Sequence, residues 1–310
     1  MRIVFAGTPA FAVHVLSRLL EARHEIALVV TQPDRPSGRG LKAQAGPVKE
    51  LSLARGLEVF QPASLKDPEA DSRLRGARAQ VVVTAAYGLI LPPSVLRLAP
   101  HGALNVHASL LPRWRGAAPI QRALLAGDHE SGATIIRMDE GLDTGAILAQ
   151  RALVITADED AGSLHDRLAS VGGELLLQVL QDCAAGRAQA REQPSIGATY
   201  ARKIDDAETV LEWSKPAQQL EREVRAFRPA PGAQAWLRGE RCKIWRAAVL
   251  EGSAEPGQVV AADRGGIRVG SGEGLLNIVE LQRAGSRRLH VDEFLRGFAV
   301  SPGERFARAR

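Results

Sequence analysis

The sequence predicts an α/β protein: a doubly wound, mostly parallel, Rossmann-like sheet followed by a small C-terminal β-barrel of oligonucleotide-binding type. Three observations carry that expectation. Short β-branched runs alternate with longer helical stretches over roughly the first 150 residues, the signature of βαβ units. Those runs are almost continuously apolar, as in strands covered on both faces. Beyond Gly232, five short apolar runs recur at roughly ten-residue intervals with turn residues between them.

The elements follow in order. Ile3-Val-Phe5 reads as a strand leading through Gly7-Thr-Pro9 into a helix over Phe11–Leu20. Pro9 suits a first helical turn, where its missing N–H costs nothing. Gly7-Thr-Pro9 lacks the GxGxxG pattern, so a dinucleotide fingerprint is poorly supported and a glycine that lets the helix pack closely is the better account. Ile26–Val30, Val81–Thr84 and Ala103–His107 are further strands. Right-handed crossovers between them make the sheet parallel, and ligands then bind beyond the C-terminal strand ends, where His107 falls. From Thr31 to Val48 the prolines and glycines exclude a regular element and predict a long exposed loop carrying Arg35, Arg39 and Lys42.

Residues 162–183 place Leu164, Leu168, Val171, Leu175, Leu176 and Val179 at helical spacing. Residues 184–207 are polar and turn-rich. The expected division is therefore a catalytic domain at 1–188, a linker at 189–206 and a nucleic-acid-binding barrel at 207–310. Leu211–Phe227 reads as a helix with Pro216 in its first turn. The barrel strands are Ala235–Leu237, Lys243–Trp245, Gly257–Val260, Gly266–Val269 and Leu275–Val279.

Composition narrows the class. The chain has 310 residues, 45% hydrophobic and 24% charged, ordinary for a globular protein. No run approaches the roughly 18 apolar residues of a membrane helix. The opening Met-Arg-Ile-Val-Phe-Ala-Gly turns directly into a strand pattern, too short an apolar run for a signal peptide. Cys183 and Cys242 are far apart without clustered Cys or His partners, so no metal site or disulfide framework is expected and a reducing cytoplasm fits. The net charge of +5 is uneven: residues 207–310 hold 17 Lys+Arg against 13 Asp+Glu. A basic C-terminal third suits a polyanionic partner and equally an Arg-rich surface.

The chemistry concentrates in Asn105-Val-His107, then Ser109-Leu-Leu-Pro-Arg-Trp-Arg-Gly-Ala-Ala-Pro-Ile120, and Asp143 within Gly141–Gly145. Residues two apart on a strand face the same way, which brings Asn105 and His107 together. Glycines around Asp143 give its loop freedom to turn toward them. An amide, an imidazole and a carboxylate suit acyl transfer to an amine: an N–H for the oxyanion, a base near neutral pH, a carboxylate to orient it. Singly, each is more often a structural polar group or turn former.

Several stretches together resemble the methionyl-tRNA formyltransferase family, over almost the full chain. They are Phe5-Ala-Gly-Thr-Pro9, Thr31-Gln-Pro-Asp-Arg-Pro36 with Gly38-Arg-Gly40, Ala86-Tyr-Gly-Leu-Ile-Leu-Pro92, the Asn105–Ile120 segment and Gly141-Leu-Asp-Thr-Gly145. Fainter matches are Gln219–Glu221, Arg225–Phe227 and Lys243–Trp245. One departure is Arg228-Pro-Ala-Pro-Gly-Ala-Gln-Ala-Trp236, which lacks an aromatic usual there but keeps the prolines.

The resemblance implies a formyltransferase-type fold and transfer of a formyl group from 10-formyltetrahydrofolate to the amino group of initiator methionyl-tRNA, without a metal, by a cytoplasmic monomer. It assigns Asn105, His107 and Asp143 to catalysis. It sets Ser109, Leu110, Leu111 and Pro112 against the folate; Tyr87, Gly88, Leu89, Ile90 and Leu91 are further candidates for binding it, Leu89–Pro92 offering an apolar wall with backbone amides for a flat pterin. Arg113 and Arg115 stabilise this segment or meet a phosphate, and Trp114 is a buried anchor or a stacking platform. Arg35, Arg39 and Lys42, and in the barrel Lys203, Arg246, Arg268, Arg287 and Arg288, are the candidates for the tRNA. Two other readings remain open on sequence alone: a formyltransferase for a small amine such as a nucleotide sugar or glycinamide ribonucleotide, and an inactive RNA-binding relative.

Overall fold

The computed structural model describes residues 1–37 and 42–307, which fall into two compact units. The first comprises residues 1–119, 130–154 and 165–202. In chain order it runs β1 (Arg2–Gly7), α1 (Ala10–Glu21), β2 (Glu25–Val30), β3 (Arg35–Ser37), β4 (Lys42–Gln44), α2 (Pro47–Ala54), β5 (Val59–Phe60), α3 (Pro68–Gly76), β6 (Val81–Ala85), α4 (Pro93–Leu96), β7 (Ala103–His107) and β8 (Arg115–Gly116). There follow α5 (Pro119–Ala126), β9 (Glu130–Arg137), β10 (Ala146–Val154), α6 (Ala161–Ala184) and β11 (Tyr200–Ala201), with most of α5 and the first residues of α6 grouped in the second unit.

The main sheet has the order β10-β9-β7-β6-β1-β2-β5. Pairing is parallel from β5 through β7, whereas β9 runs antiparallel to both β7 and β10. The anticipated parallel core is present, and an antiparallel pair extends it at one edge. Along β1, Val4 and Ala6 join a cluster with Leu28, Val30, Leu74, Val82 and Val95, while Ile3 and Phe5 on the other face are equally buried. Both faces are covered, which explains the continuous apolar runs. Gly7 is needed for close packing, since a Cβ there would lie 2.5 Å from Ala12 Cβ and 2.9 Å from Ala85 O.

The 31–48 stretch departs from the expected irregular loop. Its β3 and β4 pair antiparallel, Arg35 opposite Gln44 and Ser37 opposite Lys42. Proline is compatible with a short ribbon of this kind because its fixed φ fits extended backbone and an edge strand tolerates a missing donor. The expected tRNA contact Arg39 lies outside the described residues.

The second unit comprises residues 120–129, 155–164 and 203–310. A short 3-10 turn (Asp206–Thr209), capped reciprocally by Asp205 and Glu208, precedes α7 (Ala217–Ala226). The helix expected from Leu211 thus begins only after Pro216. Leu211 N instead donates to Gln234 O at 2.8 Å, and Val210 bridges Gln234, so the apolar residues ahead of the proline are buried in extended and turn backbone.

Then come β12 (Ala233–Leu237), β13 (Glu240–Leu250), β14 (Val259–Asp263), β15 (Gly266–Gly270), β16 (Leu275–Arg283), β17 (Leu289–His290), α8 (Val291–Gly297) and β18 (Phe306–Ala307). All pairings are antiparallel, in the order β14-β15-β16-β13-β12-β18, with β17 on β16. The sheet curls until Gln258 bridges Arg305, joining its two edges. Within this unit Arg122 reaches Glu208 at 2.6 Å and Arg228 pairs with Asp160 at 2.6 Å. Among the described residues no helix is long and apolar enough to cross a membrane.

Candidate active site

The end of β7 brings Asn105 and His107 to one place, and the turn after β9 brings Asp143 to them. Thr84 on β6 is the register partner of Asn105, and its hydroxyl donates to Asn105 Oδ1 at 2.8 Å. That contact orients the amide: the carbonyl end points at Thr84, and Nδ2 faces Asp143 Oδ1 at 3.4 Å. His107 is 5% exposed, and its Nδ1 lies 3.6 Å from Asp143 Oδ2.

The other ring nitrogen, Nε2, sits 2.9 Å from Trp114 O. A carbonyl only accepts, so Nε2 carries the hydrogen, and in the neutral ring Nδ1 is the free lone pair. Nδ1, the nitrogen beside the carboxylate, is the ring atom left open to another partner. Asp143 Oδ2 already accepts from Gly116 N at 2.8 Å, which fixes the carboxylate while leaving it capacity for another donor.

Local chain chemistry explains this convergence. Asp143 takes φ +52°, a left-handed conformation that Asp tolerates better than most residues. Asp139 Oδ1 accepts from Gly141 N at 3.0 Å and Thr144 Oγ1 at 2.7 Å, closing the turn from inside. At Gly145 a Cβ would stand 2.0 Å from Arg137 O, so no other residue fits. Trp114, at φ +64°, directs its carbonyl to His107, and Arg113 stacks on its ring at 4.4 Å.

Several polar groups of Ser109–Pro112 find partners inside the protein. Thr134 Oγ1 donates to Ser109 O at 2.6 Å and accepts from Leu111 N at 3.2 Å, while Gln150 Nε2 donates to Leu111 O at 2.8 Å. Ser109 Oγ donates to Arg113 O at 2.6 Å. The segment is a rigid support after β7, with Leu110 and Pro112 half-buried.

In Tyr87–Leu91, Tyr87 and Leu91 point into the hydrophobic core and Leu89 packs against it, whereas Ile90 is 84% exposed. Burial pushes the Tyr87 phenol up to about 12, so it stays protonated at neutral pH. Gln32 Nε2 donates to Tyr87 O at 2.7 Å and holds this segment to the base of the ribbon. Gly88, at φ +78°, accommodates the approach.

Of the expected RNA contacts, Arg35 and Lys42 lie on the backbone of β3 and β4. Lys203 is exposed, its carbonyl accepting from Arg122 at 3.2 Å. Arg246 is exposed on β13, 3.9 Å from Glu280. Arg268, Arg287 and Arg288 each pair with an acidic neighbour: Asp263, Glu293 and Glu280 respectively.

Thr84, Trp114 O and Gly116 N were absent from the sequence-based site, as was Gln193, which donates to Asp143 O at 2.7 Å. Gly116 lies in the quoted motif and could have been found there. Gln193 carries no local signal, because its partner is 50 residues away.

Comparison with known proteins places the chain in a family. The family described as formyl transferase matches residues 1–180, and formyl transferase, C-terminal domain, matches residues 203–299. A protein of Dechloromonas aromatica named methionyl-tRNA formyltransferase is 50% identical over 306 residues, covering 99% of each chain. Among solved structures, HypX from Aquifex aeolicus in complex with tetrahydrofolic acid aligns with a TM-score of 0.67 at 17% identity, over 95% of this chain and 47% of that one. The chain thus spans about half the length of that structure. An N-formyltransferase from Helicobacter canadensis, in complex with folinic acid and dTDP-3-aminofucose, aligns with a TM-score of 0.68 at 17% identity, over 91% and 99%. The chain belongs to the methionyl-tRNA formyltransferase family.

Proposed function

We propose that this member of the methionyl-tRNA formyltransferase family transfers the formyl group of 10-formyltetrahydrofolate to the free amino group of initiator methionyl-tRNA. The observation that carries the reading is the meeting of Asn105, His107 and Asp143 at the end of β7, in a chain 50% identical over its length to a relative of that name. The α-amino nitrogen attacks the formyl carbon and the carbonyl electrons move to oxygen. Asn105 Nδ2–H donates to that oxyanion, a contact worth about 3 kcal/mol in comparable sites.

The proton leaving the attacking nitrogen goes to His107 Nδ1, since Nε2–H is committed to Trp114 O. Asp143 stabilises the resulting imidazolium from 3.6 Å. Collapse of the intermediate breaks the bond to N10 of the folate, which takes the proton, and the imidazole returns to its starting form. No step calls for a metal ion.

Ser109–Pro112 and Tyr87–Leu91 form the folate side of the site in this reading. Arg35, Arg39, Lys42, Lys203 and Arg246 contact the tRNA. The division into catalytic residues 1–188, linker 189–206 and tRNA-binding residues 207–310 belongs to the same reading and is supported by family matches at 1–180 and 203–299. The reading also takes the protein as a cytoplasmic monomer, and a reducing compartment suits its two buried free thiols, with burial pushing Cys242 up to about 11. A small-amine acceptor is disfavoured because relatives about 50% identical over nearly the whole chain carry the name methionyl-tRNA formyltransferase.

The test is formyl transfer from 10-formyltetrahydrofolate to charged initiator methionyl-tRNA, beside uncharged tRNA and a nucleotide-sugar amine. Formylation of the charged tRNA alone is expected. Transfer only to the sugar amine would overturn the acceptor assignment, and tRNA binding without transfer would overturn the enzyme.

A further inference from the structure

Residues 191–201 have the composition of a connector, yet they are woven into the site. Ile147 N donates to Arg191 O at 2.7 Å and Arg191 N donates back to Ile147 O at 2.8 Å. Arg115 N donates to Thr199 O and Trp114 N to Thr199 Oγ1, each at 2.9 Å. Ala117 N donates to Ala201 O at 2.8 Å. The strap therefore grips both loops that build the site, 112–118 and 143–147.

Gln193 is its central contact. Its Nε2 donates to Asp143 O at 2.7 Å and Gly145 O at 2.8 Å, using both amide hydrogens. Its Oε1 accepts from Arg115 Nε at 3.1 Å and from an Arg115 terminal nitrogen at 2.7 Å. The orientation is unambiguous, because a guanidinium only donates and backbone carbonyls only accept. Arg115 is 8% exposed, and the next residue, Gly116, holds the Asp143 carboxylate through its N–H at 2.8 Å. Gln193 thus ties together the two loops that secure opposite ends of Asp143, a residue whose left-handed backbone needs outside support.

We infer that Gln193 is a positioning residue for formyl transfer, holding the Asp143 carboxylate at His107 Nδ1 by clamping the 143–145 backbone to Arg115. The inference rests on the proposed catalytic role of Asp143 and extends the working site into the stretch between the family matches. A glutamine here supplies two donors and a forked acceptor in one neutral group, which an aspartate, glutamate or lysine cannot.

The test uses the full-length protein with charged initiator methionyl-tRNA and 10-formyltetrahydrofolate. Gln193→Ala removes the clamp but also strands the buried Arg115. Gln193→Glu keeps an acceptor for Arg115 while turning carboxylate oxygens toward the carbonyls of Asp143 and Gly145. Both should lower kcat by about tenfold to a hundredfold, the scale for a misplaced catalytic group, with KM for each substrate little changed. In an Asp143→Asn background, Gln193→Glu should cost less than about twofold more, since it acts through a group already disabled.

Wild-type kcat in Gln193→Glu, or a loss that multiplies in full onto Asp143→Asn, would overturn the inference and leave Asp143 catalytic. Undiminished turnover by Asp143→Asn alone would instead overturn the catalytic reading, and the inference with it.

Discussion

Replacing Asn105 with alanine separates orientation from chemistry. Thr84 Oγ1 donates to Asn105 Oδ1 at 2.8 Å, so the amide cannot turn without losing its shortest contact. One N–H of Nδ2 faces Asp143 across 3.4 Å, a weak contact, and among the described residues no acceptor takes the other. An amide held this way is ready for a charge that appears only in the transition state. Removing one such donor should lower kcat by roughly a hundredfold to a thousandfold, or about 3–4 kcal/mol, and leave KM for both substrates nearly unchanged.

Stability should fall only slightly, because the Thr84 hydroxyl, 2% exposed, can turn to Leu104 O at 3.3 Å. Thr84→Val provides the companion measurement: the amide remains but loses its anchor, and kcat should drop about tenfold on the scale of a misdirected group. Single-turnover formylation of charged tRNA, followed by acid gel or mass spectrometry of the aminoacyl end, isolates the chemical step. A loss under tenfold for Asn105→Ala, or one confined to the KM for folate, would refute the oxyanion role.

Three further outcomes follow from the same geometry. His107→Ala should lower kcat by about a hundredfold to ten-thousandfold, while tRNA affinity and melting temperature stay close to wild type; unchanged turnover removes it from the mechanism. Gly145→Ala forces apart a Cβ and Arg137 O that would stand 2.0 Å from each other. Relief to ordinary contact needs a displacement of over about 1 Å, enough to lose about a hundredfold in kcat with folate binding retained, and wild-type kinetics would show that the loop gives way without moving Asp143.

Glu223 in α7 is buried beside Lys215, at 2.6 Å, and burial holds its carboxyl above the usual carboxylate range. A raised pKa favours the folded state below the unfolded value near 4.5, and that advantage is lost as pH rises through the folded value. Glu223→Gln should therefore gain in melting temperature relative to wild type as pH is raised from about 4.5 to 8, a trend checked by calorimetry; the opposite trend would mean that the Lys215 pair outweighs desolvation.

Much of this arrangement was legible because the chemistry sits on regular elements. Period-two spacing on β7 was sufficient to pair Asn105 with His107, and the glycines around Asp143 marked a loop free to approach. Each of the five short runs of the C-terminal unit falls on a strand, the third of which begins at Val259 and not at Gly257. What escaped depends on distant partners. β9 and β10 were not distinguished because their identity as an antiparallel pair lies in each other's register, not in local pattern. Leu211 and Trp213, both buried, stand two apart, the spacing of extended backbone, and Leu211 N is held there by Gln234 O, so the helix has to wait for Pro216. Gln193 and Thr199 lie in a polar stretch without periodicity, and Thr199 meets Trp114 from 85 residues away.

The makeup of the second unit bears on how the protein emerges from the ribosome. Residues 120–129 and 155–164 belong to it, yet they are synthesised well before residues 203–310. Arg122 is 12% exposed in the finished chain and must await Glu208, 86 residues later. At an elongation rate of about 5–20 residues per second that interval is on the order of ten seconds, during which the 120–129 segment lacks the C-terminal part of its own unit. The order of synthesis therefore favours early completion of the parallel sheet through β7, with the two inserted segments settling only when the C-terminal strands arrive. A nascent-chain protease would find residues 120–129 sensitive until the chain passes Glu208, and resistant afterwards.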